Sequence, residues 1–440
     1  MSRVTRLARR AILLVALVPL AACELDSLLD VDVPGRVPDE ALADPALAVT
    51  MVNSVIADLE CAWNNYAAAA ALMSDEFMQA SGNLNQRNWG SRRILADDAA
   101  MATGTCRAPY GIYTTLHTAR FQAEDIYTRL EGFTDAQVAN RTALKATVRA
   151  YGAYALTALA EGFCEMVLDG GGKVTPQQVL QQAETRFTEA IALATTANNQ
   201  DILNMALVGR ARVRLDLKNY AGALADAQRV PLAYVKNATR DETDTRRYNA
   251  VCEFIACAQG RHASVSPYYR DVKWQGVADP RVQVATTGVL AFDNAQVWHY
   301  PSAKHRTRGY PMVIASGKEA RLYVAEVAAR TGDLATARTL INAMHTEAGI
   351  PAYDPTNSET QEQVLTQVIE ERRRELFVEG GHRFNDHLRL AGTPQAIPFK
   401  GLPGSTLHPS GVDETGLPYG PTTCFPLPLV ESANNPNTQG

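Results

Sequence analysis

The residues that could do chemistry in this 440-residue chain are aromatic rings beside hydrogen-bonding side chains, in stretches without helical periodicity. Trp89 follows a run of amides and an arginine, and Trp298 is followed by a histidine and a tyrosine. A flat ring beside polar groups suits a sugar, which has an apolar face and a rim of hydroxyls. We therefore predict ligand binding by Trp89, Asn83, Asn85, Arg87, Trp298, Tyr300, Trp274 and Tyr269.

Sequence signatures of catalysis are missing. The chain contains no G-x-S-x-G, no H-E-x-x-H and no phosphate-binding glycine loop. Carboxylate pairs such as Asp97 and Asp98 resemble those of glycosidases, but their neighbours are basic or expected to be exposed. No CxxC and no paired Cys/His spacing indicates zinc. The sequence therefore predicts a binding protein without catalysis, cofactor or metal, and a glycosidase is a minor alternative.

Residues 1–22 have the features of a lipoprotein signal peptide. Four arginines precede an apolar core at residues 11–20, which is too short to span a bilayer as a helix. The core ends in Leu20-Ala21-Ala22-Cys23, a bacterial lipobox whose small residues admit the peptidase and whose thiol receives the diacylglycerol. Ordinary signal cleavage, with Cys23 incidental, is the alternative. Since we expect no membrane span after residue 22, we predict that lipidated Cys23 is the membrane anchor.

Charge and cysteine usage describe an exported, acidic chain. Removing residues 1–22 takes away four arginines and no acidic residue, so the formal net charge changes from −5 to −9. A chain this acidic is a poor partner for nucleic acid. Six cysteines remain besides Cys23, and an even number in an exported protein favours disulfides. Fifteen pairings are possible for six cysteines, and Cys252 with Cys257 is the only strongly local one.

The elements that must position these residues are mostly helices. Phe187-x-x-Ala190 and Tyr220-x-x-Ala223 lie 33 residues apart, close to the tetratricopeptide period, and Gly332-Asp333-Leu334-x-x-Ala337 repeats the same turn. Three such units favour an α-solenoid scaffold. Periodicity fails in residues 81–93, which we interpret as a loop. It fades again in residues 234–310, where apolar residues predict short strands and loops: Val282, Val284, Val289, Leu290, Phe292 and Val297.

Residues 364–392, which we call the clasp, combine an apolar helical stripe with a dense run of charges. Arg372 and Glu375 lie next to the stripe formed by residues such as Leu365 and Ile369. Charges in that position are tolerated only when they are paired and hydrogen-bonded. We therefore interpret the clasp as a structural network of arginines and carboxylates and not as an active site.

The clasp also resembles a known family. Glu371-Arg372-Arg373-x-Glu375-Leu376, Glu379-Gly380, Arg383-x-x-Asp386 and Arg389 resemble the signature of SusD/RagB nutrient-uptake lipoproteins. An additional glycine before His382, and His387 in place of the usual leucine, depart from that signature. Asp279-Pro280-Arg281 and the Pro-x-Pro and Asn-Pro pairs near the end resemble further family motifs.

The resemblance, together with the repeats, implies a mainly α fold: a tetratricopeptide-like α-helical scaffold with a loop-rich insertion that contains short strands. We expect a single domain over residues 23–440. Its predicted parts are a scaffold at about 44–230 and 316–390, an insertion at about 234–310, and a segment rich in proline and glycine at 391–440.

The resemblance also implies a function. The expected protein is a non-catalytic, surface-exposed outer-membrane lipoprotein that captures a nutrient, with an oligosaccharide as the expected ligand. It would deliver that ligand to a SusC-like TonB-dependent transporter. In the family the ligand face is built from loops outside the helical scaffold. The alternative from another class is a tetratricopeptide scaffold lipoprotein that assembles envelope proteins and binds no small ligand.

Overall fold

The computed structural model describes residues 39–104, 106, 110–257 and 260–438. The predicted signal peptide and Cys23 lie outside the described residues. The chain divides into two units, residues 1–44 and 45–440. In the first unit the described element is a 3-10 helix, Asp39–Ala43. Everything that follows concerns the second unit.

The first part of the scaffold is helical, and neighbouring helices pack as pairs. Its helices are α1 (Ala48–Met73), α2 (Leu84–Gly90), α3 (Ile112–Gly132), α4 (Arg141–Gly162), α5 (Pro176–Thr196), α6 (Gln200–Asp216) and α7 (Tyr220–Ala227). Helix α5 begins with a capping box between Thr175 and Gln178 and with proline at its first position. Short polar connections then force α5, α6 and α7 to pack against their neighbours, as the repeat predicts.

The groove between these helices is filled as the tetratricopeptide pattern requires. Phe187 is fully buried, and its ring meets the edge of Tyr154 at a centroid distance of 5.1 Å. Gly209 on α6 faces that ring, and a Cβ added there would lie 2.3 Å from it. Only glycine therefore allows α6 to approach Phe187 this closely. The alanine partners Ala190 and Ala223 are also fully buried.

The insertion consists of short antiparallel strand pairs, as predicted. Its strands and those near it are β1 (Phe77–Gln79), β2 (Met166–Val167), β3 (Lys173–Val174), β4 (Val235–Ala238), β5 (Ala263–Val265), β6 (Lys273–Trp274), β7 (Val277–Ala278), β8 (Val284–Leu290), β9 (Val297–Pro301) and β10 (Met312–Ser316). The pairs are β1–β5, β2–β3, β4–β10, β6–β7 and β8–β9. In the last pair Ala285 lies opposite Tyr300, and the register shifts between Thr286 and Leu290. A short helix, α8 (Pro267–Arg270), follows β5.

Helices resume after β10 and carry the clasp. They are α9 (Gly317–Thr331), α10 (Leu334–Ala348), α11 (Gln361–Glu375), α12 (His382–Arg389) and α13 (Leu429–Asn434). Helix α11 ends at Glu375, and both Gly380 and Gly381 have positive φ, which leads the chain into α12. The two glycines therefore lie in the turn before α12, where Gly381 is the N-cap, and they do not end α11, whose C-cap is Leu376.

The predicted charge network of the clasp is confirmed, and all its central members are buried. Arg372 on α11 lies 2.9 Å from Asp386 on α12. Arg389 contacts Asp386 at 2.7 Å and Glu326 of α9 at 2.7 Å. Burial alone would raise the pKa of Asp386, but the two guanidinium groups lower it well below its usual value. The network therefore joins three helices through ionised groups.

The clasp also connects the two ends of the scaffold and the insertion. Arg383 of α12 makes a bidentate pair with Asp75, which follows α1, at 2.6 and 2.7 Å. Arg281 of the insertion pairs with Asp279 at 2.6 Å and with Glu371 of α11 at 2.7 Å. Asp279-Pro280-Arg281 is thus a structural part of the same network.

Three disulfides confirm that the six cysteines are paired. They join Cys61 to Cys106, Cys164 to Cys424, and Cys252 to Cys257. The second crosses 260 residues and holds the C-terminal segment to the end of α4. Next to it, Phe425 is fully buried and pairs with Phe163 in a parallel bridge.

Two local expectations were wrong. Residues 81–93, predicted to be a loop, contain α2, because the Asn83 side chain accepts hydrogen bonds from the backbone of Asn85 and Gln86 and so caps a helix. The expectation that no stretch after residue 22 resembles a membrane span also fails, since the helical stretch Pro45–Met73 is long and apolar enough. Its Trp63 and Tyr66 are fully buried, as expected for a core helix.

Candidate ligand-binding site

Two of the predicted binding residues line one cleft, which we call the aromatic cleft. It has a volume of about 440 Å³ and lies between the β8–β9 pair, the segment after β9 and the disulfide of Cys252 and Cys257. Its lining residues are Glu242, Ala256, Cys257, Thr287, Trp298, Tyr300, Arg306, Thr307 and Arg308.

Trp298 forms the rigid floor of the aromatic cleft. It is 4 % exposed, and its indole nitrogen donates to the carbonyl of Ile255 at 2.9 Å. Tyr300 is two residues further along β9 and so points to the same side of the strand. The two ring centroids lie 4.4 Å apart at an angle of 33°. Because Trp298 is fixed and Tyr300 is only half-buried, Tyr300 is the ring that a ligand can reach.

Two arginines cover the mouth of the aromatic cleft. The guanidinium of Arg306 lies over the Tyr300 ring, 4.7 Å from its centroid. Within the described residues, no carboxylate comes within 4.0 Å of Arg306. Arg308, by contrast, donates to Glu253 at 2.8 Å and stacks on Tyr248. The Arg306 guanidinium is therefore held by its aromatic contact and keeps its hydrogen-bond donors available.

Glu242 supplies the carboxylate of the aromatic cleft. A hydrogen bond from the Thr307 side chain lowers the pKa of Glu242, and the backbone N–H of Gly309 also donates to it at 2.8 Å. The group is therefore ionised at neutral pH and accepts hydrogen bonds. An aromatic face with guanidinium donors, hydroxyls and an ionised acceptor can recognise a polyhydroxylated ligand.

Trp89 is not a surface ring, which corrects the sequence prediction. It is fully buried, with Tyr110 and Phe425 at centroid distances of 5.6 and 5.5 Å. Its indole nitrogen donates to Asp98 at 2.7 Å. Helix α2 turns Trp89 inward against a residue from the far end of the chain, so its ring faces are occupied by packing.

The polar residues near Trp89 lie apart from the aromatic cleft. Asn83 caps α2 and is exposed, as is Asn85. The Arg87 guanidinium donates to Thr415 and lies 4.0 Å from Asp413 in the C-terminal segment. None of these three side chains lines the aromatic cleft.

Tyr269 and Trp274 pack where the insertion meets the clasp. Tyr269 is fully buried and stacks on Phe377 at 4.9 Å. Trp274 meets His345 at 5.1 Å, and the guanidinium of Arg374 lies 5.6 Å from its ring. These two side chains therefore pack inside the protein, in contrast to the predicted role in ligand binding.

Sequence reasoning missed Arg306, Arg308, Glu242 and Thr287 in the aromatic cleft. A signal was present for the first two, since an Arg-x-Arg pair begins six residues after Tyr300. Glu242 has no such signal, because it comes from a different segment that only the fold brings alongside.

A known family model matches part of the chain. The model of the SusD family matches residues 319–406, which include most of α9, α10 to α12 and the clasp. No curated protein sequence matches the chain.

Solved structures share the fold at low sequence identity. A SusD-like protein from Bacteroides fragilis has a TM-score of 0.68 at 12 % identity and covers 95 % of this chain and 99 % of its own. A SusD superfamily protein from Bacteroides vulgatus gives 0.66 at 15 %, covering 88 % and 97 %. Surface glycan-binding protein A from Bacteroides uniformis gives 0.63 at 15 %, covering 88 % and 98 %. The SusD family model thus matches the clasp, and the fold that this chain shares with SusD-like structures extends along the chain.

Proposed function

We propose that this chain is a non-catalytic outer-membrane lipoprotein that captures an oligosaccharide in the aromatic cleft and delivers it to a SusC-like TonB-dependent transporter. The observation that carries the proposal is the half-buried Tyr300 ring, fixed against Trp298 and flanked by the unpaired guanidinium of Arg306. A sugar can place its apolar face against the exposed part of this ring while its hydroxyls accept from guanidinium N–H groups and donate to Glu242.

Binding without hydrolysis fits the charges of the aromatic cleft. Hydrolysis of a glycosidic bond generally requires two carboxyl groups, one of them protonated. Glu242 is the one carboxylate among the described residues that line the aromatic cleft, and its lowered pKa keeps it ionised. This arrangement supports capture, with catalysis left to other proteins.

The location and the partner belong to the same proposal. The lipobox at Cys23 supports a lipid anchor, and the match to the SusD family model supports an outer-membrane, cell-surface location beside a TonB-dependent transporter. The Bacteroides uniformis neighbour is named a surface glycan-binding protein, which supports a glycan as the ligand.

The test is a glycan screen followed by calorimetry on matched variants. Tyr300→Ala should weaken binding of the strongest oligosaccharide about thirtyfold, since truncating an aromatic anchor removes about 2 kcal/mol. Tyr220→Ala is the control, because Tyr220 also carries a guanidinium, that of Arg330 at 5.4 Å, but lies on the helical scaffold.

Two outcomes would contradict the proposal. Wild-type affinity in Tyr300→Ala would move the site away from the aromatic cleft. A screen without any glycan ligand, together with co-purification of envelope proteins, would instead favour the alternative of a tetratricopeptide assembly scaffold.

A further inference from the structure

A second pocket, which we call the arginine pocket, lies between α1 and residues 239–247. It has a volume of about 490 Å³. Helix α1 contributes Asp58 and Glu60, and the 239–247 segment contributes Arg240 and Arg247. The same segment supplies Glu242 to the aromatic cleft, so it forms a wall of both cavities.

Arg240 has hydrogen-bond donors that the protein does not use. Its side chain is 2 % exposed. One nitrogen, Nη2, donates to the backbone carbonyl of Glu60 at 3.0 Å, and the Glu60 carboxylate lies 3.5 Å away. The other two, Nε and Nη1, are buried and have no hydrogen-bond partner in the described part of the chain. Buried N–H groups without an acceptor are unfavourable, which indicates a missing acceptor in this pocket.

Arg247 adds a second guanidinium to the pocket. It donates to the Thr239 hydroxyl at 2.5 Å, and within the described ranges no acidic side chain lies within 4.0 Å of it. Burial lowers the pKa of Arg240 to about 10. The charge of Arg247 also lowers this pKa, and the charge of Glu60 acts in the opposite direction. Arg240 is therefore positively charged at neutral pH. Asp244 and Arg246 also line the pocket and lie 3.5 Å apart, so it is the unused N–H groups of Arg240, and not an excess of positive charge, that indicate a missing acceptor.

Asp58 provides an unused acceptor in the same pocket. Its half-buried carboxyl makes no hydrogen bond or ion pair with any described residue, and burial raises its pKa to about 6. A bare anion such as sulfate would satisfy the arginines and be repelled by Asp58. A neutral sugar would donate to Asp58 and leave the arginines without a charged acceptor. A sugar that carries a carboxylate satisfies both sets of groups.

We infer that the arginine pocket binds a uronic acid unit, whose carboxylate accepts from Arg240 and Arg247 and whose ring hydroxyl donates to Asp58. This inference rests on the proposed function in one respect, that the unit belongs to the captured glycan. The shared 239–247 wall allows neighbouring units of one acidic oligosaccharide to occupy the arginine pocket and the aromatic cleft.

The test is an NMR titration of the purified protein with methyl galactosiduronate, methyl galactoside and sulfate as probes. The uronate should bind at least about tenfold more tightly than the neutral galactoside, because only the uronate forms charge-assisted hydrogen bonds to the arginines. Arg247→Gln should weaken uronate binding about tenfold, and Asp58→Asn should weaken it severalfold. Both positions lie at least partly at the surface, and Arg229→Gln removes an exposed charge from the scaffold as a control.

The inference is overturned if the uronate does not bind, if the galactoside binds equally well, or if both variants keep wild-type affinity. Sulfate binding equal to that of the uronate, insensitive to Asp58→Asn, would reduce the pocket to a simple anion site. The two proposals fail separately. Uronate binding that persists in Tyr300→Ala, without any Tyr300-dependent oligosaccharide, overturns only the aromatic cleft. Tyr300-dependent oligosaccharide binding without uronate binding overturns only the arginine pocket.

Discussion

The clasp and the aromatic cleft both place arginines over aromatic rings, but they differ in how the guanidinium groups are paired. In the clasp, Arg372 is 2 % exposed, lies over Tyr323 and has Asp386 at 2.9 Å. In the aromatic cleft, Arg306 is exposed, lies over Tyr300 and has no carboxylate within 4.0 Å among the described residues.

The difference follows from the cost of removing charge from water. A buried guanidinium must be paired, because an isolated charge in the interior is strongly unfavourable. An exposed guanidinium is hydrated and can exchange water for a ligand. In these two regions, pairing therefore separates Arg372, which holds the fold together, from Arg306, which is available to a ligand, although both stack on rings.

The largest effect is expected from breaking the clasp. Arg372→Ala leaves the buried carboxylates of Asp386 and Glu326 short of a partner and should lower the free energy of unfolding by about 3–5 kcal/mol. Urea unfolding measures this, and oligosaccharide affinity of the folded fraction should stay unchanged. Exposed Arg229→Ala is the control. A loss of binding with unchanged stability in Arg372→Ala would place the clasp in the site.

Trp89 should behave like the clasp and unlike the aromatic cleft. Trp89→Ala removes a fully buried ring between Tyr110 and Phe425 and should lower the free energy of unfolding by roughly 3–4 kcal/mol. Differential scanning calorimetry and a glycan titration distinguish the two roles. If melting stayed unchanged while affinity fell tenfold, Trp89 would be a binding residue after all.

A smaller, pH-dependent effect on stability is expected at Glu76. Burial raises the pKa of Glu76 to about 7, although its carboxylate accepts from the backbone of Val378. The folded state then holds a proton that the unfolded chain releases above about pH 4.5, so stability falls between about pH 4.5 and 7.

Glu76→Gln keeps the shape and removes this titration. At pH 8 the variant should be more stable than the wild type by roughly 1–3 kcal/mol, and at pH 4 the two should be nearly equal. Unfolding curves across this range provide the measurement. If the free energy of unfolding depended on pH identically in the variant and the wild type, Glu76 would not hold the additional proton in the folded state.

The smallest effect on stability is expected in the aromatic cleft. Arg306→Ala removes an exposed side chain and should change the free energy of unfolding by less than about 0.5 kcal/mol. Oligosaccharide affinity should fall about fivefold, because one exposed cation–π and hydrogen-bonding group contributes about 1 kcal/mol. If Arg306→Ala destabilised the protein as much as Arg372→Ala, the proposed difference between the aromatic cleft and the clasp would be wrong.

The sequence by itself determined the features that depend on neighbouring residues. Helix starts such as Thr175-Pro176 and the helical spacing around Phe187 arise from hydrogen bonds and side-chain directions within a few residues. The charge network of the clasp could also be predicted from the sequence, because charges next to a buried apolar stripe must be paired, whichever segment supplies the partner. The resemblance to the SusD/RagB family rested on those same residues.

Only the tertiary structure decided which aromatic rings a ligand can reach and which charged side chains come together. Trp89 and Trp298 looked alike in sequence, but Phe425, more than 300 positions later, covers the first, while the second forms the floor of an open cleft. Distant segments also meet in the disulfide between Cys164 and Cys424, and in the aromatic cleft, which Glu242 and Tyr300 both line. Local spacing cannot specify such contacts, because burial depends on what the rest of the chain brings to the surface of each element.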